Sequence, residues 1–390
     1  MSRVPSNCYI CRLVAEEGSA IGLPMEKIDI YSDDIVISSI LVEEDLSGLL
    51  SCLEPYPHVF AVMDANVAMH CPAAQELAQL MNRMGVPGML LDASEEGKTM
   101  DTVMDICSWL LDNGADRDAL VLAVGGGITT DMVGFAASIY KRGVRFAYIP
   151  TTLLAQVDAS IGGKTGVNLE KYKNILGVIR QPEFTYVCPR LLESLPHRDF
   201  MSGVAEMMKT FMIEDDGNYE KAVAVFFEMQ KEYVIVPEED ASEYWTDCLE
   251  AHMAELTPLI AAAARVKAGV VSRDQFEKGE RRKLNLGHTF AHAIETLARR
   301  EAMTGDAAPE KTDITHGEAV AMGMVLAARL SDRLSGREED DALEGKVHAD
   351  LLECGLLPDS PFTVEEMAHV MRKDKKAEGG KVHFVLPRAV

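Results

Sequence analysis

The chain has 390 residues, 47% of them apolar and 26% charged, the composition of a water-soluble globular protein long enough for about two domains. A formal net charge of -24 excludes the broad basic face that nucleic acid or an anionic membrane would demand. An anionic small molecule would then need a local cluster of lysines and arginines.

The start, MSRVPSNCYICRLVAEEGSA, carries no apolar run of signal-peptide length. The most apolar stretch, LIAAAARVKAGVV (259–271), is too short and too charged to span a bilayer. Eight scattered cysteines fit reduced thiols, so the expected location is the cytoplasm. Cys8 and Cys11 make a C-x-x-C pair with no second pair to complete a metal site.

Residues 1–50 read as an N-terminal extension ending in a hairpin at 27–40. Strand-like segments follow at 58–67, 88–94, 119–126 and 144–150, separated by helical ones at 72–85, 98–113 and 130–142. That alternation predicts an α/β domain over 1–190, its parallel sheet wound with helices on both faces. From about 190 the segments are long, helical and rich in Ala, Met, Leu and Glu, which predicts an all-helical domain over 191–390. CPRLLESLPHRD (188–199) reads as the hinge. Residues 211–250 carry 12 acids and two lysines and read as a solvated surface insertion. Residues 301–313 read as an exposed loop.

LVLAVGGGITTDMVGFAA (120–137) is an apolar strand, three glycines, then a helix. Glycines at that junction let a phosphate reach the helix N-terminus; a tight structural turn is the other reading, since this is not G-x-G-x-x-G. Asp64 at a strand end, and Glu95 with Lys98, are candidates for a nucleotide ribose. IPTTLLAQVDASIGGKTGVN (149–168) gathers Asp158, Lys164, Thr165 and Asn168, and Lys173 and Asn174 follow, as in a substrate loop at the carboxyl ends of strands.

GVAEMMK (203–209) sets Glu206 and Lys209 three apart, near one helical face. LNLGHTFAHAIE (284–295) sets His288 and His292 four apart, so that both could chelate one ion or each could take a different task. Arg281 and Asn285 lie just ahead of them, and HGEAVAMGM (316–324) adds His316. One glutamate with two or three histidines suits zinc with a coordination position left open. The required cations are Arg142, Lys164, Lys173, Lys209, Lys267, Arg281 and the KDKK run from Lys373 to Lys376.

These segments, with GGGITTDMVGFAASIYKRG and DKKAEGGKVHFVL, together resemble the 3-dehydroquinate synthase family of sugar phosphate cyclases, from about residue 58 to the end. The resemblance implies a Rossmann-like nucleotide-binding domain followed by an all-α metal and substrate domain. It implies Glu206, His288 and His316 as ligands of Zn2+ or Co2+, which leaves His292 for the substrate. It implies NAD over Gly126 and Gly127, with Asp64, Asn66, Glu95, Lys98, Asp131, Thr151, Thr152 and Lys173 around it. Substrate contacts would come from Asp158, Lys164, Asn174, Lys209, Lys267, Arg281, Asn285, His292 and Lys375. Of these, Lys164, Lys209, Arg281, Asn285 and His292 would serve catalysis. Arg142 would reach the substrate phosphate from the partner subunit of a homodimer.

The implied reaction is a carbon–oxygen lyase step of the shikimate route. It converts 3-deoxy-D-arabino-heptulosonate 7-phosphate to 3-dehydroquinate and phosphate by transient oxidation, elimination, re-reduction and an internal aldol closure. The rival readings are a cyclase for sedoheptulose or glucose phosphates, and a metal-dependent NAD polyol dehydrogenase. His292 and the DKK lysines favour the carboxylated substrate. Thr130 and Tyr172 stand where the family has glycine, the acidic stretch after Lys209 is long, and LPRAV stops short of the family's tail.

Overall fold

Strand β5 (Leu120–Gly125) buries every side chain, because the sheet around it is covered on both faces. Val59, Ala61 and Met63 of β3 (Val59–Asp64) join Leu120, Leu122 and Val124 of β5 in one apolar layer. Leu77 and Met81 of the helix Pro72–Arg83 cover that layer. The alternate residues, Phe60, Val62, Val121, Ala123, Phe146 and Tyr148, point the other way. They pack on Val103, Ile106 and Leu110 of the helix Met100–Asp112 and on Met132, Val133 and Ala136 of the helix Gly127–Ile139. The period-two alternation of strand side chains builds two cores from one sheet.

The structure is a computed structural model that describes residues 26–170, 172–214, 217–233, 241–304, 308–337, 342–374 and 381–389. With β4 at Gly88–Leu91, β6 at Arg145–Pro150 and β9 at Phe184–Val187, the sheet order is β1–β2–β9–β6–β5–β3–β4, β1 (Glu26–Ser32) being antiparallel to β2 (Ile35–Val42) and every other pairing parallel. The expected hairpin, strands and helices form, save that the strand expected over 58–67 ends at Asp64 and a short helix, Ala65–His70, replaces the rest. Cys8, Cys11 and Lys375 lie outside the described residues.

Two strand features depart from the sequence reading. β9 (Phe184–Val187) is a short buried strand inserted between β2 and β6, in a stretch with no strand expectation. The segment read as one substrate loop is instead a π-helical turn, Ala155–Ala159, followed by an antiparallel hairpin of β7 (Lys164–Leu169) and β8 (Tyr172–Ile179). Its glycines hid it: Gly166 and Gly177 are paired, and a Cβ on Gly177 would stand 2.0 Å from the Thr165 carbonyl oxygen. Two glycines facing each other erase the apolar alternation by which strands are recognised.

By contacts the chain divides into two units, Met1–Leu195 with Leu256–Gln275, and Pro196–Glu255 with Phe276–Val390. The segment Leu256–Gln275, read from sequence as part of the second domain, thus groups with the first. Within the first unit it is tied by Lys267 to Asp158, by Arg265 to Glu26 and by Ser272 to the Tyr31 amide. A helical pattern alone does not say which core the helix joins.

The second unit is helical, with Pro196–Glu255 and Phe276–Val390 contributing the helices His197–Ile213, Tyr219–Tyr233, His288–Thr304 and His316–Ser335, among others. Where it is described, the acidic stretch is not a solvated insertion: Tyr219, Val223, Phe226 and Met229 of one helix and Trp245, Cys248 and Leu249 of the next are buried, while Glu220, Glu228, Glu232, Asp247 and Glu250 are exposed. Residues 301–304, expected in a loop, complete the helix His288–Thr304. No helix among the described residues is long and apolar enough to cross a membrane.

Gly134 lets the helix Gly127–Ile139 press onto the sheet, since a Cβ there would lie 2.1 Å from the Tyr148 hydroxyl oxygen and 2.7 Å from Thr165 Cγ2. Alanine is the better helix former, yet Gly134→Ala should destabilise the protein by about 1–3 kcal/mol through overpacking. Chemical denaturation measures it, and a gain in stability would contradict the packing.

Candidate active site

In the first unit the carboxyl ends of neighbouring parallel strands carry the residues expected around a nucleotide. Asp64 closes β3, Gly125 closes β5 with Gly126 and Gly127 after it, Thr151 and Thr152 follow β6 (Arg145–Pro150), and Glu95 and Lys98 lie beyond β4 (Gly88–Leu91). Open α/β sheets bind ligands at this edge. Gly126 caps the helix Gly127–Ile139 with no side chain of its own. A Cβ on Gly126 would come within 3.0 Å of Thr152, and one on Gly127 within 2.9 Å of Ala159. The amides of that helix start are thus presented by bare backbone, which suits a phosphate. Asp64 caps the following short helix by accepting from the Asn66 amide at 2.9 Å, while burial raises its pKa against that bond.

Lys98 is the hub of a polar cluster. Its Nζ donates to Asp131 at 2.6 Å and to Asn174 at 2.7 Å. Asn168 accepts from the Asn174 amide and donates to Glu95, whose carboxylate also lies 3.5 Å from Lys173. Burial pushes the Asp131 carboxyl up to about 6, against the pull of Lys98. Lys267 is buried and donates to both the backbone and the carboxylate of Asp158. Lys164, exposed, opens β7.

Arg142 stands apart. It is exposed on the 3-10 turn Tyr140–Arg142, beyond the far end of the helix Gly127–Ile139, which at 1.5 Å per residue runs about 20 Å from the Gly127 turn. Thr130, in place of glycine, turns its hydroxyl back onto the Gly127 carbonyl at 3.0 Å, and Tyr172 is 56% exposed at the start of β8.

In the second unit three separate segments bring Glu206, His288 and His316 together, with one ligand atom from each lying within 4.8 Å of the others. Glu206 Oε1 is 3.4 Å from His288 Nε2 and 3.2 Å from His316 Nε2. A tetrahedral ion with bonds of about 2.0–2.1 Å separates its ligands by about 3.3 Å, so the donor set has the spacing and chemistry of a zinc site. The other ring nitrogens are held as well: His288 Nδ1 lies 3.2 Å from the Leu286 carbonyl and His316 Nδ1 3.1 Å from Glu295. Such outer partners leave each Nε2 facing Glu206, the orientation a shared ion would need.

Glycine makes the convergence possible. Gly287, at φ 77°, turns the chain into the helix of His288. A Cβ on Gly323 would lie 2.2 Å from the Gly287 oxygen, and one on Gly317 would lie 2.3 Å from Ser202 Cα. The helix of His316 therefore packs backbone to backbone on its neighbours. Thr315 and Glu318 form a capping box at its start.

The electrostatics follow from burial. Burial opposes charge on Glu206, but Lys209, one turn on and ion-paired to it, and the two histidines hold its carboxyl well below the usual range. Burial and then Lys209 depress His288 to about 4, leaving it a neutral ligand. Partial burial opposes charge on His316, yet Glu206 and Glu295 outweigh that and push it up to about 10.

His292 does not join the three. It is exposed, its ring edge-on to His288 at 5.7 Å. Of the two histidines four apart, one is with Glu206 and the other beside it. Arg281 is buried on the 3-10 turn Glu280–Asn285, and Asn285 donates to Glu277 at 2.8 Å. The sequence reading missed Glu295, although it lies seven residues beyond His288, two helical turns along the same face.

An α/β unit with a bare glycine turn at its strand ends, and a helical unit holding a glutamate and two histidines, define a class that the comparisons recover. The structure is similar to 2-epi-5-epi-valiolone synthase from Streptomyces hygroscopicus subsp. jinggangensis 5008, solved with NAD+ and Zn2+ bound (TM-score 0.72, 28% identity, 91% of each chain). It is also similar to a 2-deoxy-scyllo-inosose synthase complexed with carbaglucose-6-phosphate, NAD+ and Co2+ (TM-score 0.69, 25% identity, 93% of this chain and 91% of that one). An iron-containing alcohol dehydrogenase shares the fold at 15% identity (TM-score 0.57, 93% of this chain and 94% of that one).

Residues 88–202 match the 3-dehydroquinate synthase N-terminal family and residues 203–377 the 3-dehydroquinate synthase C-terminal family. The 3-dehydroquinate synthase of Acidithiobacillus ferrooxidans is 39% identical over 334 residues, 85% of this chain and 83% of that one. That of Xanthomonas oryzae pv. oryzae is 38% identical over 337 residues, 85% and 84%. The chain belongs to the 3-dehydroquinate synthase family.

Two outcomes are expected of metal-free protein. Because His316 holds a proton up to about 10, a divalent ion must displace it at neutral pH, so affinity should rise with pH by about tenfold per unit. Calorimetry in buffers of different ionisation enthalpy should count about one proton released; none would refute the charged His316. Glu295→Ala should weaken zinc binding by about 10–100-fold in a chelator competition while helix content is unchanged.

Proposed function

We propose that this chain catalyses the reaction of its family, the conversion of 3-deoxy-D-arabino-heptulosonate 7-phosphate to 3-dehydroquinate and inorganic phosphate, with NAD and a divalent zinc or cobalt ion as resident cofactors. The observation that carries the reading is the convergence of Glu206, His288 and His316, with Lys209 and His292 beside them, in a chain 39% identical to a named 3-dehydroquinate synthase. When bound, NAD supplies reversible hydride removal and the ion supplies Lewis-acid polarisation.

The chain's own residues have distinct tasks in this reading. Glu206, His288 and His316 hold the ion, and Lys209 keeps Glu206 ionised. Gly126 and Gly127 admit the dinucleotide phosphates, Asp64 and Asn66 line the ribose side, and Thr151 and Thr152 stand at the next strand end. Lys98 orients Asp131 and Asn174, while Glu95 and Lys173 complete that cluster. Lys164, Lys267, Arg281 and Lys375 supply positive charge for the substrate's carboxylate and phosphate, and Asp158 and Asn285 bind hydroxyls. His292 bonds the leaving phosphate at a ring nitrogen. Arg142, exposed and far from its own chain's glycine turn, serves the partner subunit of a homodimer. The working location is the cytoplasm.

The test is to incubate the protein with the heptulosonate phosphate and a catalytic amount of NAD. Stoichiometric phosphate without net NADH is expected; net NADH would mean a polyol dehydrogenase, and turnover only of sedoheptulose or glucose phosphates another cyclase. Glu206→Gln should lose both metal and turnover. His292→Ala should keep metal and lose rate by about 10²–10⁴-fold, as expected for a group moving or holding a proton. Metal loss from His292→Ala equal to that of His288→Ala would overturn the division between the two histidines.

A further inference from the structure

We propose that Cys248, His252 and Glu232 form a second metal site in the helical unit, one that takes a zinc-like divalent cation. The three side chains offer one ligand atom each within 4.8 Å of one another. None of them belongs to the Glu206 cluster, and the family reading gives them no task.

The site is built from two helices. Cys248 sits in the helix Ala241–Ala251, and His252 follows directly, its amide still bonded to the Cys248 carbonyl at 3.1 Å. The last turn therefore carries through to His252, and a C-x-x-x-H spacing puts thiol and imidazole on one face. Glu232 comes from the end of the preceding helix, Tyr219–Tyr233. Its Oε2 is 3.4 Å from His252 Nε2, close to the edge of about 3.3 Å expected between tetrahedral nitrogen and oxygen ligands.

The surroundings hold these groups in place. Cys248 is 3% exposed and its thiol faces the Met229 carbonyl at 3.9 Å. On the same two helices, Tyr233 stacks on His197 at 4.1 Å and Trp245 meets it edge-on at 4.7 Å, pinning both to a third helix. The Glu232 side chain is 46% exposed, so an ion arrives from solvent and keeps water as a fourth ligand.

The donor set selects the cation. One sulfur, one imidazole nitrogen and one carboxylate oxygen suit zinc or cobalt, whereas calcium and magnesium demand mostly oxygen. Binding is a simple exchange: the thiol gives its proton to water, the thiolate donates a lone pair to the ion, and no electron changes hands. The consequence is a cross-link between the ends of two helices that are otherwise joined by apolar packing.

Cobalt(II) supplies the test, because a thiolate ligand gives a near-ultraviolet charge-transfer band that the Glu206, His288 and His316 donors cannot produce. The full-length chain, with Cys8→Ser and Cys11→Ser to remove the C-x-x-C pair, should bind two equivalents and show the band. Cys248→Ser and His252→Ala should each lose the band, weaken the second equivalent by more than about 100-fold, and retain turnover, since even an outer partner of a metal ligand is worth 10–100-fold. Glu206→Gln should lose turnover and keep the band, which separates this site from the catalytic reading. A single equivalent bound, no band, or a band that survives Cys248→Ser would overturn the proposal.

Discussion

A carboxylate sealed from water in the middle of a helix governs the second unit. Glu206 is completely buried, and an ion in that position costs several kcal/mol unless it is matched by charge and hydrogen bonds. Lys209, one turn away and equally buried, supplies the nearest positive charge. His316, held protonated between Glu206 and Glu295, supplies the second in the absence of metal. Bound metal would take the place of that proton, so one arrangement serves both the folded apo-protein and the loaded one. Removing any partner leaves an uncompensated charge.

The helix packing follows from the same requirement. Around these ligands the helices meet with no side chain between their backbones. Gly287, Gly317 and Gly323 let the backbones touch, and the capping box at Thr315 fixes where the helix of His316 begins. The first unit solves a different problem with the same residue. Gly126 and Gly127 clear space at a strand end for a phosphate, and Lys98 then collects Asp131 and Asn174 into one network. In both units glycine marks where backbone must approach something closely, and in both the charged residues nearby are paired with each other before any ligand arrives.

Much of this was legible in the sequence. β3, β5 and β6 announced themselves because runs such as LVLAVG are apolar on both faces, as strands covered twice must be. Glu206, His288 and His316 were legible as residue types whose chemistry fits one ion, and the resemblance singled them out by position. β9 and the β7–β8 hairpin were not legible, since four residues are too few for a pattern and paired glycines remove it. Nor was the fate of 211–250, where the net acidity of the exposed faces masked the apolar stripe of Tyr219, Val223, Phe226 and Met229.

By itself, then, the sequence determined the alternation of elements, the parallel sheet with two covered faces, and the family. Those depend on local periodicity and on short motifs that survive without a fold. Only the tertiary structure decided that His288 Nδ1 rests against the Leu286 carbonyl, and that Glu295 is the partner of His316. It also decided that Leu256–Gln275 joins the first unit, and that Cys248, His252 and Glu232 meet. The physical reason is the same throughout: spacing along a helix fixes which face a side chain shares, whereas what stands opposite that face is set by packing between segments remote in the chain.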